Sequence, residues 1–266
     1  MGRQMDTEGF SDWLRSDERS ENTVRSYLTA VNEYFGRYQE ITKANMISHK
    51  KWLIEKYSPS TADLRCIAMN RYCHYVKKPD CCVKTIRRNR SISTENVISL
   101  EEYQHLIDCL KRDGDMTGYR MVLLMAKTGA RVSELVRMKK DCLDKGYMEL
   151  WTKGRIRRIY IPKSIIPDLE QAEGEYLITN KFGERITREG VRERLQRYAK
   201  RYGIRKEVMH PHSFRHLYAI QFLKHDNDLS LLADLMGHAE ISTTARYTQL
   251  TAAQQADRLN RQAEEW

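Results

Sequence analysis

One break interrupts a chain otherwise patterned for helices. At residues 77–96, KKPDCCVKTIRRNRSISTEN, the apolar spacing stops, and a proline, clustered lysines and arginines, and a Ser/Thr/Asn run take its place. A chain of 266 residues is long enough for two domains of ordinary size. The break is where they would be joined, so the expected division is a first domain at 1–80, a basic linker at 81–96 and a second domain at 97–266, whose last segment, 251–266, is a polar tail.

The first domain reads as four helices. Val24, Tyr27, Leu28, Val31, Tyr34 and Phe35 follow the i, i+3, i+4, i+7 spacing of one apolar stripe, with Ser20 placed to cap it. Leu64, Ile67, Ala68, Arg71, Tyr72 and Tyr75 form a second stripe, entered through Ser58 and through Pro59 at the first helical position, where a missing N–H costs nothing. Shorter helices are expected near 7–16 and 43–57. Beyond the break, Ser99-Leu-Glu-Glu102 has the form of a capping box. Helices run to about residue 140. Met148–Trp151 and Ile156–Ile161 then read as two short strands around a glycine-containing turn with Lys153 at its tip. Helical spacing returns at Val191–Tyr202, Leu217–Leu223 and Leu231–Leu235, and Gly237 is a C-terminal stop. The expected fold is mainly α with one small antiparallel sheet.

No run approaches the ~20 apolar residues of a membrane span, and mean hydropathy is −0.69. The N-terminal Met-Gly-Arg-Gln-Met-Asp has no apolar stretch after a basic one, so a cytosolic location is expected by default. Six cysteines contain no C-x-x-C pair and read as free thiols. Net charge is +10, with 16 basic and 11 acidic residues in 1–88 and 30 and 25 in 89–266. Excess positive charge in both halves suits a polyanionic partner, against the alternative of a merely basic surface.

The stretch from His210 to Tyr247 carries the chemistry. It holds His210, His212, His216 and His238, with Arg215 among them and Tyr247 nine residues past the last histidine. Breaking a phosphodiester without a metal requires a nucleophile, cations at the non-bridging oxygens and a proton for the leaving oxygen. Candidates for each are present, whereas a nucleotide-binding G-x-x-x-x-G-K-[ST] loop and an H-E-x-x-H site are not. Three of the histidines could be argued as metal ligands, but no cysteine or carboxylate stands beside them to complete a set.

Four motifs in order resemble the tyrosine recombinase (phage-integrase-like) family: Thr128-Gly-Ala-Arg131-Val-Ser-Glu134-Leu, Lys153 in its hairpin turn, His212-Ser-Phe-Arg215-His216, and Leu235-Met-Gly-His238 followed by Ile241–Tyr247. The resemblance covers about 99–250, and the basic helical region before it is similar to the family's four-helix, SAM-like core-binding domain. Ala130, Phe214 and Met236 depart from commoner residues but remain apolar.

The resemblance implies site-specific DNA recombination, in which strands are cleaved and rejoined through a 3′-phosphotyrosyl intermediate and a Holliday junction. Tyr247 would be the nucleophile. Arg131 and Arg215 would hold the non-bridging oxygens with guanidinium forks. Lys153 would protonate the departing 5′ oxygen, His212 would handle a proton near the tyrosine, and His238 would donate to the phosphate. Glu134 would orient these groups, and His216 would support them. Lys84, Arg87, Arg88, Arg90 and Arg155 are candidates for gripping the DNA backbone. His49, His74, His105 and His225 match no motif and are taken as ordinary. Expected partners are double-stranded DNA and three further copies in a tetramer on two sites, joined by exchange of the 251–266 tail, with accessory DNA-bending proteins as a further possibility. No cofactor, metal or nucleotide is expected, nor a membrane or the N-terminal arm-binding domain of larger phage integrases. Two other readings stay open on sequence: a type IB topoisomerase or hairpin-forming resolvase with the same chemistry, and a DNA-binding regulator that has kept the fold without cleavage.

Overall fold

The computed structural model describes residues 6–86, 96–152, 155–226 and 228–237. It divides into two compact units, Met1–Arg90 and Ser91–Trp266, and is mainly helical with one two-stranded antiparallel sheet. No helix among the described residues is long and apolar enough to cross a membrane.

The first unit contains α1 (Thr7–Ser16), α2 (Glu21–Phe35), α3 (Lys43–Lys56) and α4 (Pro59–Tyr75). Polar caps start three of them: Asp6 accepts from the Gly9 N–H, Ser20 from Thr23 and Thr42 from Asn45. Ser58 differs from expectation, since its hydroxyl bonds the side chains of Ser60 and Thr61 and reaches no backbone N–H. The α2 stripe is buried as expected at Val24, Tyr27, Val31 and Tyr34. On α4 the buried face is displaced to Ala62, Cys66, Ala68, Met69, Tyr72 and Cys73, leaving Leu64 40% exposed. The first unit also runs past residue 80. Asn70 clasps Val83 at both backbone groups (2.8 and 2.9 Å), Asp63 accepts from the Ile86 N–H, and Val83 joins the core. These tethers are side chain to backbone contacts, which leave no trace in apolar spacing. Lys84 lies on this strap with an exposed side chain; Arg87, Arg88 and Arg90 lie outside the described residues.

His49 departs from its ordinary reading. It is 2% exposed, stacked on Trp52 and edge-on to Tyr34 and Tyr38, and neither ring nitrogen has a hydrogen-bond partner among the described residues. Desolvation lowers its pKa to about 4. Neutral His49 is therefore tolerated, while the unfolded chain takes up a proton near pH 6.5. Its penalty is absent above pH 6.5 and grows as pH falls to about 4, to about 3 kcal/mol. His49→Phe is expected to flatten this acid loss in thermal melts between pH 7 and 4.5; an unchanged pH slope would disprove the assignment.

The second unit opens with α5 (Leu100–Arg112), whose predicted capping box is formed by Ser99 and Glu102 at 2.9 and 3.1 Å. The central helix α6 (Met116–Thr128) is buried almost all round and packs against α11 (Pro211–His225). After the short α7 (Val132–Leu135) and α8 (Asp141–Lys145), β1 (Tyr147–Thr152) pairs with β2 (Arg155–Tyr160) in the register Met148↔Ile159, Leu150↔Arg157 and Thr152↔Arg155. Then follow α9 (Ile166–Glu170), α10 (Arg188–Tyr202), α11 and α12 (Leu229–Met236). A fully buried Ser213 hydroxyl accepts from the Ile98 N–H at 2.7 Å, fastening the entry of the unit to α11.

Candidate active site

The site is assembled where α6, α7, β2, α11 and α12 meet. Thr128 ends α6 by donating to Leu124 O at 2.6 Å and accepting from the Ala130 N–H. Gly129 then turns the chain with φ +60°. Any Cβ at Gly129 would meet the Tyr218 ring at 2.5 Å, so glycine is needed both for conformation and for space. The turn delivers Arg131 to the N-cap of α7. There its backbone N–H donates to Glu134 Oε2 at 2.7 Å, and its Nη1 donates to Oε1 at 3.0 Å.

Arg215 reaches the same place from α11. Its residue is 2% exposed, and its Nη1 and Nη2 donate to Gly129 O and Met236 O at 2.5 Å each. Arg131, with a side chain 37% exposed, donates through Nη2 to Gly237 O at 2.9 Å. A third guanidinium, Arg157 from β2, donates to Leu235 O at 3.2 Å and forms a buried ion pair with Glu134. Three arginines from three elements thus take successive carbonyls, Leu235, Met236 and Gly237, at the end of α12. A helix C-terminus presents unpaired carbonyls and the negative end of the macrodipole, which explains why cations gather there. The segment they clasp leads directly into His238.

The histidines of α11 divide in two. His210 is the N-cap, its Nδ1 accepting from the Ser213 N–H at 3.2 Å, and burial lowers its pKa. Its ring nitrogen is thereby committed to the helix start. His212 is exposed and stacks on His216 with ring centroids 5.6 Å apart. Partial desolvation, then the charges of Arg215, His210, Arg131 and Arg192, hold it below the ordinary imidazole value. A neutral imidazole at neutral pH can accept a proton.

Of the expected site residues, Arg131, Glu134 and Arg215 are brought together at the end of α12, while His212 lies within electrostatic reach of both arginines and stacks on His216. Lys153, the side chain of Arg155, His238, Tyr247 and the 251–266 tail lie outside the described residues. Arg157 is not among the residues expected at the site from sequence. The strand alternation carried a signal: Arg157 stands opposite Leu150 and two residues from Ile159, in the inward row. An arginine in an apolar row needs a buried carboxylate, and Glu134 supplies it.

No group of three or more His, Cys, Asp or Glu among the described residues could hold a metal ion. The arrangement is instead a concentration of guanidinium around one carboxylate, beside a neutral imidazole, suited to an anion with several oxygens.

Residues 96–254, well over half of the chain, match the model of the phage integrase family. The chain is 27% identical to the tyrosine recombinase XerD of Oceanobacillus iheyensis, with 94% of this chain and 95% of the relative covered. It is 28% identical to the tyrosine recombinase XerA of Pyrococcus furiosus, with 92% and 89% covered. Its fold is similar to that of the Tn1549 transposon integrase solved in complex with transposon right end DNA, with a TM-score of 0.74 at 16% identity over 97% of this chain and 99% of that one. Motifs, helical fold and family match agree: the chain belongs to the phage integrase family, whose relatives here are tyrosine recombinases.

Proposed function

We propose that the chain recombines double-stranded DNA at a specific site by attack of Tyr247 on the scissile phosphate. The phenolic oxygen bonds to phosphorus, the 5′ oxygen leaves, and a 3′-phosphotyrosyl link keeps the phosphoester for rejoining, so no nucleotide is consumed. Arg131 and Arg215 hold the non-bridging oxygens, where charge concentrates in the transition state. His212 accepts the tyrosine proton, Lys153 supplies one to the 5′ oxygen, and His238 donates to the phosphate. Glu134 and His216 orient this set.

The observation that carries the reading is the meeting of Arg131 and Arg215, from separate motifs, on the adjacent carbonyls of Gly237 and Met236. That contact joins both guanidiniums to the backbone leading to His238 and, nine residues on, Tyr247. Strand exchange in pairs through a Holliday junction would use four copies on two sites, with the 251–266 tail docking on a neighbour. Accessory DNA-bending proteins would fit such an assembly. The basic residues of the 81–96 segment would follow the backbone, and binding would weaken steeply with salt as counterions are released.

Covalent capture tests the reading. A random-sequence duplex library, nicked so that a cleaved strand cannot be rejoined, is expected to yield SDS-resistant complexes enriched in one recurring site, with protein on the 3′ phosphate. Capture without sequence enrichment would overturn site specificity, and no capture at all would overturn the strand-cleavage reading.

A further inference from the structure

Arg157 is the buried charge at this site that the mechanism above does not use. Its guanidinium leaves the inward face of β2, pairs with Glu134 Oε1 and donates to Leu235 O. Its Nε has no hydrogen-bond partner among the described residues and lies under Gly237, where a Cβ would come within 2.3 Å of it. Gly237, with φ +60°, therefore both turns the chain toward His238 and leaves room for this guanidinium. Arg157 touches all three upstream and downstream parts of the site: the strand that begins just after Lys153, the Arg131–Glu134 turn, and the end of α12.

We infer that Arg157 is a positioning residue that neutralises Glu134, leaving the charge of Arg131 available to the scissile phosphate. The inference rests on the strand-cleavage reading above. Glu134 Oε1 is shared between the two arginines, and its side chain is as buried as that of Arg157. A buried carboxylate with one cationic neighbour binds it tightly, because attraction is strong where water is excluded. With Arg157 present, the carboxylate is balanced from the strand side, and Arg131 keeps a net positive charge on its more exposed side. Without Arg157, the whole negative charge falls on Arg131, and a phosphate must compete with Glu134 for the same guanidinium. The end of α12 also loses one of its three tethers.

The test uses single-turnover cleavage of the captured duplex by the full chain, with DNA binding and thermal melting measured on each variant. Arg157→Met is expected to slow cleavage at least about tenfold while DNA half-saturation moves less than about threefold. Adding Glu134→Gln, which removes the unbalanced charge but keeps an acceptor, is expected to bring the rate back to within about threefold of Glu134→Gln alone. A merely structural arginine predicts the opposite, since the second change would add to the first. Arg157→Gln, a neutral side chain that still donates, carries the same comparison should the Met variant fail to fold. Cleavage by the folded Arg157 variants within about threefold of the wild type would overturn the inference, as would a double variant that falls below Glu134→Gln alone by the full factor lost in the Arg157 single. Arg131→Ala separates the two levels. Normal cleavage in that variant overturns the site reading and this inference together, whereas loss there with none at Arg157 overturns this inference alone.

Discussion

Tyr247→Phe is expected to leave no SDS-resistant complex on a nicked duplex, while half-saturation of binding moves by less than about tenfold, because one lost hydroxyl hydrogen bond is worth about 0.5–1.5 kcal/mol. Phenylalanine retains the ring and lacks only the oxygen that would bond to phosphorus, so cleavage and binding separate cleanly. Gel shift and denaturing electrophoresis on one preparation provide both readouts. Capture that persists in the variant would assign the nucleophile elsewhere. Several of the described tyrosines are poor substitutes. Burial raises the phenols of Tyr34, Tyr72, Tyr198 and Tyr218, and takes Tyr103 to about 12, making each harder to ionise than an exposed tyrosine. Tyr218 lies within electrostatic reach of Arg215, but its phenol is raised by burial and its ring is packed against Gly129.

Local signals in the sequence located most of the fold, and failed where packing involved small or polar groups. Ser20 and Ser99 announce helix starts because a side-chain oxygen followed by helical spacing has few other uses. The hairpin is legible because alternation and a glycine-containing turn occur together. On α4 the reading favoured large residues, whereas beside the expected Ala68 and Tyr72 the structure buries Ala62, Cys66 and Cys73. This helix packs against α1, α2 and α3 at once, so period alone could not select its buried face. His49 reads as polar by residue type, yet an aromatic box accepts its neutral ring.

The candidate site was legible as motifs but not as a network. Arg131, Glu134, His212 and Arg215 follow from their neighbours in sequence. The carbonyls that Arg131 and Arg215 bind, and the Arg157 that shares Glu134, depend on how the end of α12 sits against β2 and α11. No local spacing encodes that contact, since it joins residues from opposite ends of the second unit. The one available hint was positional, an arginine in the inward row of a strand, and it becomes informative only once a buried carboxylate is known to face it.

Arg215 is where catalytic and structural demands fall on the same group, and its replacement should reveal both. Arg215→Ala is expected to slow cleavage on the order of 10²-fold or more, the scale of losing a preorganised donor to transition-state charge. It also strips Gly129 O and Met236 O of a buried donor, which costs about 1–3 kcal/mol for each acceptor left unpaired. A slow alanine variant could thus reflect a collapsed turn as easily as a missing cation. Arg215→Lys distinguishes them. An ammonium keeps the positive charge in this buried position but cannot reach both carbonyls and a phosphate as a fork does. If Arg215 acts on the phosphate, the lysine variant should melt closer to the wild type than the alanine variant yet cleave nearly as slowly per folded molecule. Single-turnover rates normalised to the folded fraction provide the comparison. A lysine variant that cleaves within a few-fold of the wild type would show that charge alone suffices, and the bidentate role of Arg215 would have to be given up.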